Sequence, residues 1–317
     1  MTIKNRNGTN SKTVGKTSSK PQSKSKPLIQ PMTLEELDAE LIRELIMMTG
    51  KDGVGKTSAL VSLARYVEEH QPDANFYIID TENGFKKIWR GFGDERPKNV
   101  VYYPCQNMDE VLLSYDQIVK EYQPGDWMSV ESMMKVWDLS QNMGYLEIEG
   151  LDKSEYLAKR KRTGKGGPIP HPDRFWDVVK TAHDTDFVTD FTHRDDLNVI
   201  MFTGVGRPRQ ERNNRKENAD RKDFRREFGI DMNIESAPRL PYVPDTFCML
   251  DREDGRVYCT VHKDRNSVGW DGVTNRFEIQ DHGDWAPAFY EIMRGVKLLD
   301  NSDQDENDND TEDEGED

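Results

Sequence analysis

The chain has 317 residues, with 44 Lys+Arg against 59 Asp+Glu, a formal charge of −15 and a hydrophobic share of 34%. The length allows one large domain or two small ones, and the low apolar share fits tails that dilute an ordinary core. No run of about 18 apolar residues occurs, which excludes a membrane-spanning helix, and three cysteines (Cys105, Cys248 and Cys259) are too few for a disulfide framework.

Residues 1–27 hold seven Lys/Arg and no acid. They lack the apolar stretch of a secretory signal and read as a disordered basic tail. The ordered domain is expected over 28–299. A helix over 33–44 begins at Thr33, with Glu36 placed three residues on for a capping box. Leu45–Thr49 is an apolar run ending at Gly50 and reads as a buried strand. Leu60, Leu63, Ala64 and Val67 give residues 56–70 helical spacing. Strands follow at Asn75–Asp80 and Asn99–Tyr103, then a helix over 107–122, a strand at Trp127–Val130 and a helix over 132–145. Residues 151–167 carry six bases and two acids, without a sustained apolar stripe. A helix over 173–192 and a fifth strand at Asn198–Phe202 come next. Residues 206–228 carry nine bases and five acids. Thr246–Leu250, Arg256–His262 and Arg276–Ile279 read as strands, the first two joined by a DREDG turn, before a helix over 284–297. Residues 300–317 hold eleven Asp/Glu and no base, a disordered acidic tail that either aids solubility or competes with nucleic acid for a basic groove. Apolar strands alternating with helices predict an α/β fold. Its sheet is mostly parallel with helices on both faces, and the late strands form an antiparallel extension.

The strongest chemical signal is Gly50-Lys51-Asp52-Gly53-Val54-Gly55-Lys56-Thr57, followed by Ser58. It fits G-x-x-x-x-G-K-[ST] between an apolar strand and an amphipathic helix. The glycines let backbone N–H groups turn inward around an anion, and the new helix adds its positive end. The pattern predicts Lys56 on the β- and γ-phosphates of a nucleoside triphosphate and the Thr57 hydroxyl on Mg²⁺. Val14-Gly15-Lys16-Thr17 lacks the first glycine, the strand and the helix, and is rejected. Such loops are paired with a carboxylate at another strand end, and two strand ends offer one: Val130-Glu131-Ser132 and Ile79-Asp80-Thr81-Glu82.

The second of these resembles the strand end of RecA-type recombinases, and the first resembles their hydrophobic-Asp-Ser metal motif, with Glu131 in place of the usual Asp. The resemblance implies a RecA-like core, with Glu82 as general base and Glu131 as the metal-side carboxylate. Trp89, seven residues after Glu82, falls where the family carries an aromatic that stacks on adenine; a plain core tryptophan is the alternative. Lys263-Asp264-Arg265 after a late strand resembles the basic pair that reaches a neighbouring subunit's γ-phosphate, which implies Lys263 and Arg265 acting in trans within a homo-oligomeric ring or filament. The basic segments 151–167 and 206–228 fall where the family has mobile DNA-binding loops, with Phe224 and Phe228 as stacking partners. Among relatives the order of motifs looks closest to short phage RecA-like ATPases that bind single strands and promote annealing or recombination. That implies ATP and Mg²⁺ as cofactors, single-stranded DNA and an accessory single-strand-binding protein as partners, and the cytoplasm (the host's, for a phage-encoded chain) as compartment.

Two other activities fit the same motifs: a ring helicase or DNA-translocating motor, and a non-hydrolysing switch in which nucleotide binding controls assembly. The histidines add little. His171, His183 and His193 share a region, but their spacing matches no metal site.

Overall fold

The computed structural model describes residues 43–162, 171–206, 233–265 and 275–280, together with Tyr290. All of them belong to one compact unit, Leu41–Asp317. Both tails lie outside the described residues. So do nearly all of the helix expected over 33–44, most of 206–228 with Phe224 and Phe228, and the helix expected over 284–297 apart from Tyr290.

The expected strands form as β1 (Leu45–Gly50), β2 (Phe76–Asp80), β3 (Val100–Pro104), β4 (Trp127–Glu131), β5 (Asn198–Gly206), then β7 (Thr246–Glu253), β8 (Arg256–Asp264) and β9 (Asn275–Gln280). A short strand that the sequence did not announce, β6 (Asn233–Glu235), precedes β7. Among the described residues these make one mixed sheet in the order β3-β2-β4-β5-β1-β7-β8-β9, with β6 alongside β5. Pairing is parallel from β3 through β7. β8, β9 and β6 pair antiparallel to their neighbours. The expected α/β architecture, with its antiparallel extension, is therefore present.

Helices cover both faces because successive strand side chains point to opposite sides. Leu45, Met47, Val199 and Met201 pack with residues of α3 (Met108–Glu121) and α4 (Met133–Glu149). Ile46, Met48, Ile200 and Phe202 pack with α1 (Lys56–His70), whose Leu60, Leu63, Ala64 and Val67 form the predicted apolar stripe. The short helix α2 (Gly84–Trp89) adds Phe85 to that second face. Each large side chain buried this way contributes roughly 1.5–3 kcal/mol. The three cysteines are buried, and none of them is in a disulfide.

The basic segment 151–167 differs from its expected form. Its first part is a helix, α5 (Lys153–Arg162), not a mobile loop. Its apolar content is small but sufficient. Tyr156 is buried against Tyr145, Phe175 and Val179, and Leu157 packs on the same group. The helix expected over 173–192 is also modified. It runs as α6 (Phe175–Lys180), a π-helical stretch over Thr181–Thr189 and a last turn, α7 (Asp190–Thr192).

Ile78 lies fully buried at the centre of β2. Ile78→Ala should lower the unfolding free energy by about 2–5 kcal/mol, read from urea denaturation. A loss under about 0.5 kcal/mol would contradict a close-packed second face.

Candidate functional site

Strand register brings the predicted residues to one edge of the sheet. Gly50 at the end of β1 lies opposite Gly204 of β5 and Leu250 of β7. Asp80 at the end of β2 lies opposite Glu131 at the end of β4. The chain leaves β1 through the Gly50–Ser58 turn and enters α1 at Lys56. Gly50 is required by close approach: a Cβ there would lie 2.8 Å from both the Leu250 carbonyl oxygen and Val54 Cγ1. Gly55, which precedes the helix, has φ 114°, a conformation open to glycine and strained for other residues. Val54 is buried in the core beneath the turn, and Lys51 is exposed and contributes its carbonyl. Both therefore serve the shape of the turn rather than the surface of its cleft.

That cleft has a volume of about 370 Å³, within the range of small-ligand pockets. Asp52, Gly53, Gly55, Lys56, Thr57 and Ser58 form its floor. Glu82, Glu131 and Ser132 line one flank and Arg252 also lines it. The Lys56 ammonium donates to the carbonyls of Gly50 (2.8 Å) and Lys51 (3.1 Å). Burial lowers its pKa, while Asp52, Glu82, Glu131 and Glu235 act in the opposite direction. Thr57 Oγ1 donates to Glu131 Oε1.

Glu131 is 5% exposed, and its Oε2 is buried with no hydrogen-bond partner among the described residues. Burial pushes its carboxyl up to about 7; Thr57 and Lys56 oppose the rise, and Asp80 and Glu82 add to it. A buried acceptor left unpaired costs about 1–3 kcal/mol. A cation beside it would satisfy that oxygen and favour the charged form. Among the described residues no group of three or more His, Cys, Asp or Glu could hold a metal ion. Mg²⁺ needs no such group, because it is usually held by one or two carboxylates with phosphate and water oxygens. Thr57 and Glu131 fit that role.

Glu82 is exposed at the cleft and is held by Ser132, whose Oγ donates to Glu82 Oε1 at 2.6 Å. Ser132 has φ 76° and Asn83 has φ 55°. Asn tolerates the left-handed region, whereas Ser132 there marks backbone held against its preference. The fully buried Asp80 holds the turn that carries Glu82. Its Oδ1 accepts from Glu82 N (2.9 Å), and its Oδ2 accepts from Phe85 N (3.2 Å) and Tyr102 OH (3.0 Å).

The remaining predicted residues lie elsewhere. Trp89 does not line the cleft, whereas Ile88 of the same helix does. Trp89 packs on Phe85, with ring centroids 5.1 Å apart, and carries Arg96 over its own ring. Its helix turns the indole toward the second core, which favours the core-tryptophan alternative. Lys263 Nζ donates to the carbonyls of Tyr242 (3.2 Å) and Pro244 (2.5 Å) of its own chain. Arg265 is 62% exposed, 3.6 Å from Asp245. Neither of these two lines the cleft. Sequence reasoning missed Ser132 as a partner of Glu82, Asp80 as its support, and Arg252. It also missed Glu235, whose carboxylate lies against Gly204 and Gly206 and acts on Lys56. Only Asp80 and Ser132, inside quoted motifs, carried a signal that could have found them.

The chain matches no protein-family model and no curated protein sequence. No helix of the described residues is long and apolar enough to cross a membrane.

The raised Glu131 pKa sets a pH dependence. The folded protein holds this proton up to about pH 7, whereas an unfolded chain releases it near 4.5. Stability from this group is therefore present below about pH 4.5 and lost as the pH rises through about 7. In metal-free buffer, Glu131→Gln should be more stable than wild type at pH 8, by about 1–3 kcal/mol. That advantage should vanish near pH 4.5. Parallel denaturation curves for the two proteins across this range would contradict the buried, unpaired state.

Proposed function

We propose that the protein is a RecA-like P-loop ATPase that binds Mg²⁺–ATP in the Gly50–Ser58 cleft and hydrolyses it, stimulated by single-stranded DNA. The observation that carries the reading is the meeting of Lys56, Thr57 and the buried Glu131 at the carboxyl edge of a parallel sheet. Ligands of open α/β sheets bind outside this edge. When bound, Mg²⁺ would offset charge on the transferring phosphoryl group.

The chain's own contribution follows from its contacts. Lys56 exchanges its hydrogen bonds to Gly50 and Lys51 for phosphate oxygens. Thr57 and Glu131 hold the cation side. Glu82 orients the attacking water and accepts its proton, and Ser132 fixes the carboxylate that does so. Ser132 acts through Glu82 and is a positioning residue.

The nucleic-acid part of the proposal draws support from α5, which carries Lys153, Lys159, Arg160, Lys161 and Arg162 against Glu155 alone. Arg160 lies over Tyr156, Tyr156 packs on Tyr145, Tyr145 on His171, and His171 on Trp176. Trp176 is 40% exposed and stacks on Trp137. A basic helix beside an exposed indole suits phosphate neutralisation and base stacking on a single strand. Of the basic pair proposed to act in trans within an oligomer, Arg265 is the better placed, because Lys263 is engaged by its own chain.

ATP turnover by the full chain, with and without single-stranded DNA over a salt series, tests the proposal. Turnover should rise with DNA and the stimulation should fade with salt; no turnover under any of these conditions would contradict it. Lys56→Ala should abolish hydrolysis, because the phosphoryl group loses its main fixed charge. Ser132→Ala should lower kcat about tenfold with KM nearly unchanged, and an unchanged kcat would remove the positioning role.

A further inference from the structure

We propose that Arg252 is a phosphate-binding residue of the same cleft, supplied within one chain from the strand beside β1 that lies away from Glu131. This rests on the nucleotide reading above and deepens it. β7 pairs with β1 in parallel, with Leu250 opposite Gly50. Arg252 stands two residues further along, so its side chain leaves the same face as Leu250. That is the face covered by α1, since Cys248 and Leu250 share a core cluster with α1 residues. The strand thus carries a guanidinium past the start of the Gly50–Ser58 turn, and Arg252 lines the cleft with Lys56.

Its side chain is exposed, and no hydrogen bond or ion pair among the described residues engages it. The acids on either side of it do not neutralise it. Asp251 and Glu253 are both taken by Arg276, at 3.1 and 2.7 Å.

Charge balance gives the guanidinium its role. Among the described residues the cleft is lined by three carboxylates (Asp52, Glu82 and Glu131) and by Lys56 and Arg252 as its cations. A polyphosphate adds further negative charge to this lining. Lys56 alone leaves the excess uncompensated. The planar guanidinium fork can meet two phosphate oxygens at once, which an ammonium does less well.

Equilibrium binding to the full chain with Mg²⁺ tests this, using a ribose-labelled fluorescent ATP and unlabelled inorganic tripolyphosphate as competitor. Arg252→Ala should weaken both ligands by about tenfold or more, with Arg252→Lys recovering part of the loss. Arg252 is exposed, and an unchanged Tm in both variants checks that the fold is kept. Binding of both ligands within about twofold of wild type would overturn the proposal. So would a loss confined to fluorescent ATP, because the guanidinium would then be reading the base or ribose. Wild-type protein that binds neither ligand would instead overturn the nucleotide reading, and this inference with it.

Discussion

One buried carboxylate sets the character of the site. Glu131 sits at the end of a central strand with one oxygen held by Thr57 and the other without a hydrogen-bond partner among the described residues. Water cannot reach it to offset the loss of solvation, so burial raises its pKa to about 7. A positive charge next to the carboxylate would reverse that cost. Lys56 contributes to this from across the cleft but is itself turned back onto two carbonyls. Among the described residues the cleft therefore holds a buried acceptor without a hydrogen-bond partner and a lysine whose hydrogen bonds go to neutral carbonyls, a pairing that an anion with its own cation would complete.

The rest of the fold serves this placement. β5 lies between β1 and β4, so the turn around Lys56 and the carboxylate of Glu131 are separated by one strand and meet above it. The parallel register puts Gly50, Gly204 and Leu250 in one row. A shift of one residue in β7 would turn Leu250 out of the core and Arg252 to the opposite face. Asp80 couples the neighbouring strand to the same edge by anchoring the turn that carries Glu82. The two positive-φ residues, Asn83 and Ser132, fall where the chain leaves those strands. The strain at Ser132 is held by the packed sheet below it.

The turn and the strands were legible because their signals are local. G-x-x-x-x-G-K-T occupies consecutive positions, and strands such as Leu45–Thr49 buried on both faces read as unbroken apolar runs. Asp80, Glu82 and Glu131 were offered by strand ends, and the family resemblance singled out the two glutamates. The hydrogen bond between Ser132 and Glu82 joins residues 50 apart in sequence and depends on strand order, which composition does not encode. Arg252 looked like part of a polar turn, because its place in the lining of the cleft exists only once β7 lies beside β1. Trp89 was placed by the family resemblance, but helical phase turned Ile88 to the cleft in its place. The helix α5 was hidden because Lys and Arg dominate it; Tyr156 and Leu157 are enough to dock it on an aromatic group formed by distant residues.

On the proposed reading the Gly50–Ser58 turn holds a triphosphate facing Glu131. A crystal structure of the full chain grown with a non-hydrolysable ATP analogue and Mg²⁺ tests it most directly. The expected result is β- and γ-phosphate density within the turn, the Lys56 ammonium moved from the Gly50 and Lys51 carbonyls onto phosphate oxygens, and the cation beside Thr57 and Glu131. Analogue density elsewhere, or a turn with no phosphate in it and Lys56 unmoved, would contradict the account.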